Sequence, residues 1–440
     1  MHKIQKILSN NFEHDIFTRD VIVSIFQGKV KDFQIFRVPQ KVYINESELK
    51  TAKSVIKYGS FSTDDGVKVN LFEVILQPNT IIERNKVTVG SIIKKYMYGK
   101  TASLVSFVYP NAENNNWRFS FIRHEPKLVA GEGLKIEETN PKRFTYILGP
   151  GESCRTAAER LQSLSDSKSI NIDDIQEAFS VDKLSKQFFD EYTDVHYKNF
   201  CDYLYNSNFM ASIFGGDEKE VRNFVKKLLG RIVFLNFVQK KGWLGVPIDG
   251  KWGDGDKNFM HNIFKDFGRK DSFYQIILDE LFFETLNTKR DEDLAEIIEG
   301  KKVRIPYLNG GLFDRDMDAK VMLTFPPELF SELFNFFDQY NFTIYEDDPD
   351  NQTIAIDPEM LGHIFENLLE DNKDKGAYYT PKEIVHYMTQ ESLIEYLCTK
   401  MPQLEREAVE KFIRFDITEQ LGDDSILQQI QIHLDDVRIC

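Results

Sequence analysis

Between residues 221 and 235 the apolar side chains recur along one helical face: Val221, Phe224, Val225, Leu228, Ile232 and Leu235. Steps of three and four residues match an α-helical turn and cannot line one side of a strand. Arg222 and Lys226 fall off that stripe, so the spacing predicts a long helix that must bury one side. Gly242 and Pro247 then end it. Helical spacing of this kind dominates from 151 to about 300, which reads as a helical bundle or spacer. Within it, Trp252-Gly253-Asp254-Gly255-Asp256 reads as an exposed turn, because alternating glycine and aspartate suits neither periodic element.

Residues 1 to about 150 have a different texture. An amphipathic start (Ile4, Ile7, Leu8, Phe12) predicts a helix. Short apolar runs follow at Lys68 to Leu76, Leu104 to Tyr109 and Arg118 to Arg123. The last two flank the polar stretch 110–116, which is a hairpin signal. Further on, Ile305 to Phe313 carries Asn309-Gly310-Gly311, which breaks any helix. Asp357-Pro358 starts a new helix through Leu361, Ile364, Phe365, Leu368 and Leu369. A charged break at 370–375 precedes another helix through Met388, Leu393 and Leu397. The expected class is therefore α/β + α.

With 440 residues the chain can hold about two to four domains with buried cores. No apolar run is long enough to span a bilayer, so no membrane partner is expected. Cysteines at 154, 201, 398 and 440 lack zinc-ligand spacing and read as reduced thiols in a cytoplasmic protein. The net charge of −15 argues against nucleic acid only as a whole-molecule sum. Two segments carry bases and no acids: 84–100, with Arg84, Lys86, Lys94 and Lys95, and 222–241. Either could be a phosphate-binding face or a solvated helix face.

The string Leu361-Gly362-His363-Ile364-Phe365-Glu366-Asn367-Leu368-Leu369, a charged linker, then Gly376-Ala377-Tyr378-Tyr379-Thr380-Pro381-Lys382-Glu383 carries more specific information. Thr380, Pro381 and Glu383 alone make an ordinary capped helix start. The whole string resembles the opening of the methyltransferase domain in type IIG fused restriction–modification enzymes. It also resembles the methyltransferases of BREX phage-exclusion systems. Both belong with gamma-class DNA adenine-N6 methyltransferases. The resemblance implies S-adenosylmethionine at Gly376, Tyr378, Tyr379, Thr380 and Pro381, with Tyr379 and Thr380 closing the pocket. It also implies double-stranded DNA as partner. Strings at 143–149, 154–157, 179–181, 188–192 and 305–313 look like the same family, with packing and turn roles expected.

In that family a first buried strand follows, here expected at Asp436-Val437-Arg438-Ile439-Cys440, and then an Asp-Pro-x-x-Gly-Ser-Gly loop. Neither that loop nor an Asn/Asp-Pro-Pro-Tyr/Phe sequence occurs in residues 1–440. The expectation is a restriction–modification or phage-defence enzyme cut before its glycine loop, inactive alone as a methyltransferase. Its expected parts are a nuclease-like domain at 1–150, a helical connector at 151–350 and the start of a Rossmann-like methyltransferase domain at 351–440.

Type IIG enzymes often begin with an Asp…Glu-x-Lys nuclease that uses Mg²⁺. Asp65 (or Asp64) in a turn and Glu73 on the strand 69–76 are the candidates here for catalysis and metal binding. Glu73 on an apolar strand needs a function or a partner. Ile75 stands where lysine is expected, so the domain is either an active nuclease, a degenerate one that still binds DNA, or a plain strand. Arg84, Lys86, Lys94 and Lys95 are the candidate DNA contacts. The competing classes are a non-catalytic DNA-binding or scaffold protein and a standalone Mg²⁺-dependent nuclease.

Overall fold

The computed structural model describes residues 2–78, 80, 92–95, 97, 101–110, 116–123, 127–131, 133–137, 141–308, 311–315, 322–344, 351–368, 380, 382–415, 418 and 420–438. Residues 1–365 form one compact unit and residues 366–440 a second. The first unit thus spans both segments anticipated as a nuclease-like domain and a connector.

The chain opens with α1 (His2–Leu8) and a helical stretch over 14–26, α2, whose middle Thr18–Val23 is wound as a π-helix. Then come β1 (Lys31–Lys41), β2 (Ala52–Ser62), β3 (Lys68–Leu76), β4 (Thr101–Val108) and β5 (Trp117–Arg123). A separate hairpin of β6 (Lys127–Gly131) and β7 (Gly133–Glu137) precedes β8 (Lys142–Leu148). Strands β1, β2 and β3 are an antiparallel meander, and β4 returns parallel to β3. β5 and β8 add antiparallel neighbours. The three runs expected as strands are β3, β4 and β5.

β3 reads as a near-continuous apolar run because both of its faces are covered. Phe72, Val74 and Leu76 meet Val105, Phe107, Ile92, Ile93 and Met97 on one side. The other side lies under the N-terminal helices. There Phe17 packs on Trp117 and Phe119, and Phe26 stacks on Phe61 at 4.6 Å. Each such ring contributes about 1.5–3 kcal/mol by leaving water.

The helical section follows. Its early helices include α3 (Arg155–Asp166), α4 (Ile172–Ala178) and α5 (Val181–Glu191), the last capped by Ser180, whose Oγ accepts from Lys183 N. The long helix α6 is Glu218–Lys240, in agreement with the apolar spacing. It also holds α7 (Phe259–Asp266), the hairpin β9 (Leu294–Ile298) and β10 (Lys301–Arg304), and α8 (Pro327–Phe337). The core here is aromatic: Phe188 contacts Phe336, Tyr340 and Phe342. His196 lies on Phe336 at 4.6 Å, and burial pushes its imidazole down to about 4.

β11 (Asn351–Thr353) then pairs parallel with β8, giving a seven-stranded sheet in the order β1-β2-β3-β4-β5-β8-β11. α9 (Glu359–Leu368) begins after Asp357, whose carboxylate accepts from Met360 N.

In the second unit α10 (Lys382–Lys400), α11 (Arg406–Phe415) and α12 (Asp424–Asp435) gather around Ile394, Leu397, Met401, Val409 and Ile430. The strand expected from Asp436 is not formed over its described residues. Asp436 caps α12, and Val437 N donates back to Leu434 O, so these positions close the end of the helix. Residues 439 and 440 lie outside the described residues.

Candidate functional site

Glu73 is the most constrained of the candidate residues. It sits in the middle of β3, 7% exposed, on the face that the N-terminal helices cover. A carboxylate there needs a partner, and α2 supplies it: His14 Nδ1 donates to Glu73 Oε2 at 2.5 Å. The hydrogen bond to Glu73 holds the His14 imidazole above its ordinary range, against the opposing effect of burial. His14 also meets the Tyr58 ring edge-on at 5.1 Å.

Tyr58 reaches this spot through a backbone irregularity. The β2–β3 register slips between Lys57 and Gly59, so Tyr58 is the extra residue of a bulge and its ring turns toward the helices. Gly59 permits this because a Cβ there would meet Gln34 O at 2.6 Å. On the other side, Ser106 of β4 is directly opposite Glu73. The Tyr58 and Ser106 hydroxyls are buried and have no hydrogen-bond partner among the described residues. Burial first, and then the charge of Glu73, push the Tyr58 phenol upward. The centre is thus one carboxylate, one imidazole, one phenol and one serine hydroxyl. His14 remains 31% exposed at its side chain, so its proton can exchange with water while Glu73 fixes the ring through Nδ1.

Asp65 is not brought to this centre. It lies in the β2–β3 turn, where a carboxylate oxygen accepts from Ile172 N at 3.1 Å and so anchors the start of α4. Glu73 is five residues past the start of β3, about 16 Å further along the strand at 3.3 Å per residue. Ile75 lies one strand repeat beyond Glu73 on the same face. Among the described residues no three His, Cys, Asp or Glu side chains group as a metal site would require. A hard divalent cation takes about six oxygens, and Glu73 with His14 already bonded to it does not offer them. These residues, as placed, do not fit Mg²⁺.

The basic residues divide. Lys95 is committed to Glu48 at 2.5 Å and lies over the Tyr43 ring. Lys94 is half-buried. Arg84 and Lys86 lie outside the described residues. In the second patch Arg231 is buried, contrary to a phosphate-binding role. Its Nε and Nη2 donate to the carbonyls of Leu312 and Asp314 at 2.7 and 2.8 Å, and Phe283 lies under it. The helix-breaking turn of 311–314 is therefore held by a guanidinium from α6, which gives that string a structural role.

Of the residues matched to S-adenosylmethionine, Gly376, Tyr378, Tyr379 and Pro381 lie outside the described residues; Thr380 is described and exposed. His14, Tyr58 and Ser106 were not anticipated. A sequence signal existed only for the need: a charged residue on an apolar strand requires a partner, but nothing local names one 59 positions away.

No protein-family model matches the chain, and no solved structure matches it. Over 242 residues the chain is 28% identical to a Methanocaldococcus jannaschii protein provisionally named a type II restriction enzyme and methyltransferase. The match covers 50% of this chain and 19% of that relative, so the chain spans about a fifth of the protein it resembles.

Proposed function

We propose that this chain is part of a restriction–modification enzyme that acts on double-stranded DNA and uses S-adenosylmethionine to methylate adenine N6. The observation that carries this reading is the similarity to the M. jannaschii restriction enzyme and methyltransferase over half of the chain. The string from Leu361 to Glu383 supports the adenine-specific class, since it resembles the opening of those methyltransferase domains. Residues 1–440 hold neither the glycine loop nor the amine-binding loop that transfer needs. Methyl transfer would therefore belong to a longer protein. The experiment reads the coding sequence after Cys440 for both loops and assays the complete product for N6-methyladenine in duplex DNA. Finding neither loop and no methyl incorporation would sink this reading.

For residues 1–150 the reading is a DNA-binding domain with a nuclease-like layout, whose central carboxylate is tied to a histidine. The helix, meander and parallel return around Glu73 support it. The alternative is a working nuclease that depends on Glu73. Plasmid nicking with Mg²⁺ or Mn²⁺, compared with Glu73→Ala, separates the two. Nicking that vanishes in the variant establishes the nuclease; equal or absent nicking in both leaves the binding domain.

A further inference from the structure

The turn after α6 carries two tryptophans, Trp252 exposed and Trp243 half-buried, each with a cation on its ring. Lys241 Nζ lies 3.9 Å from the Trp243 ring centre, and the Arg304 guanidinium lies 4.6 Å from that of Trp252. The two indoles meet edge-on at 6.4 Å. Trp252 is 39% exposed, against 2% for Trp117 in the sheet core. An indole left this open sacrifices much of the apolar burial that normally places tryptophan inside.

The support beneath is rigid. Gly242 O accepts from Gly253 N and from Gly255 N, both at 3.0 Å, and Leu244 O accepts from Asp256 N at 2.9 Å. Arg304 Nη1 donates to Gly250 O at 2.9 Å, and Val246 bridges Arg304 through the backbone. So Arg304 is fixed at once to the turn and to one face of Trp252. Such preorganisation spares a ligand the cost of ordering the loop.

The charge around the rings is mixed but tilted. Lys241, Lys251 and Lys257 are exposed, and Arg304 is half-buried. Among the acids, Asp254 accepts from Lys251 N and Asp256 from Asn258 N and Asn262 Nδ2, which ties both carboxylates to the turn itself. Asp249 is exposed. An open indole with adjacent cations suits one chemistry well: a base stacks on the indole while its phosphate meets a nearby ammonium or guanidinium.

We propose that the turn 241–256 with Arg304 is a contact surface for unpaired DNA, with a base stacked on Trp252 and its phosphate beside Lys241 and Arg304. This rests on the reading that the chain acts on DNA, and it names the strand form and the residues. A duplex keeps its bases stacked and offers the rings no free face, so a single strand should bind more tightly.

The test uses the purified 440-residue chain, a labelled single-stranded oligonucleotide and the matching duplex. The chain has three tryptophans and Trp117 is buried, so emission changes report on this turn. Expected are quenching by the single strand and about a tenfold loss of affinity in Trp252→Ala, the scale of one stacked base. Trp252→Phe should keep most of the affinity, and Lys241→Ala should lower the salt dependence by about one phosphate contact. Equal binding by Trp252→Ala and the parent, or binding without quenching, overturns the surface while leaving a DNA enzyme standing. No binding to either DNA form overturns the surface and removes support from the DNA reading as well.

Discussion

Replacing His14 with alanine tests whether Glu73 needs its imidazole. The charge-assisted bond is worth about 1.5–3 kcal/mol, and stranding a buried carboxylate adds to the loss. His14 is about one-third exposed, so water can enter the space left by the ring and solvate Glu73. That brings the expected cost toward the lower end, about 2–3 kcal/mol. The dependence on pH has a definite sign. Glu73 raises the folded-state pKa of His14 above its ordinary 6.5. The ion-pair contribution is therefore complete below pH 6.5 and disappears as pH rises through the raised value. Above it, neutral imidazole still donates one hydrogen bond, worth about 1 kcal/mol. Urea unfolding of parent and His14→Ala, followed by circular dichroism at pH 5.5 and pH 9, should give a larger difference at the lower pH. Glu73→Gln keeps the shape and should erase that pH dependence. A His14→Ala penalty equal at both pH values, or larger at pH 9, would refute the ion pair.

Arg231→Ala should cost about 3 kcal/mol, since two carbonyls of the 312–314 turn lose their donor, and a thermal melt should show it. Gly242→Ala should destabilise the tryptophan turn by about 2–4 kcal/mol, because its φ is +70° and a Cβ would sit 2.2 Å from Gly253 O. Limited proteolysis should then find new cuts between 248 and 256, and an unchanged pattern would contradict the packing described. Purified 1–440 should incorporate no methyl group into duplex DNA from S-adenosylmethionine, which a tritium-transfer assay checks.

Local periodicity carried much of the fold. The strand 68–76 and the helix through 221–235 were legible because each repeats a pattern over several residues, and burial of one or both faces enforces it. The two long edge-side strands, Lys31–Lys41 and Ala52–Ser62, were not read as strands; their runs are mixed with charges and broken by register slips. The strand expected at 436–440 rested on the family resemblance, and over its described residues the chain instead closes the end of α12, with Val437 N donating back to Leu434 O. The site was half legible. Glu73 announced a buried charge, but its partner comes from another element. Asp65 was plausible by proximity in sequence, yet extended strand geometry carries it far from Glu73. Arg231 looked like part of a basic face because sequence spacing records charge and not what folds over it.

The pairing of β11 with β8 has a consequence for how the protein is made. Residues 143 and 351 are direct partners in the sheet, and Asn341 fastens the same corner through Ile147 O and Ser153 O. About 200 residues must therefore emerge and arrange themselves before β11 can pair with Arg143 to Thr145 of β8, at a closure cost of about 5 kcal/mol. During synthesis β8 waits as an open border able to recruit other chains. Severed from the helical section, the first 150 residues would keep the Glu73 centre but lose the strand that pairs with Arg143 to Thr145.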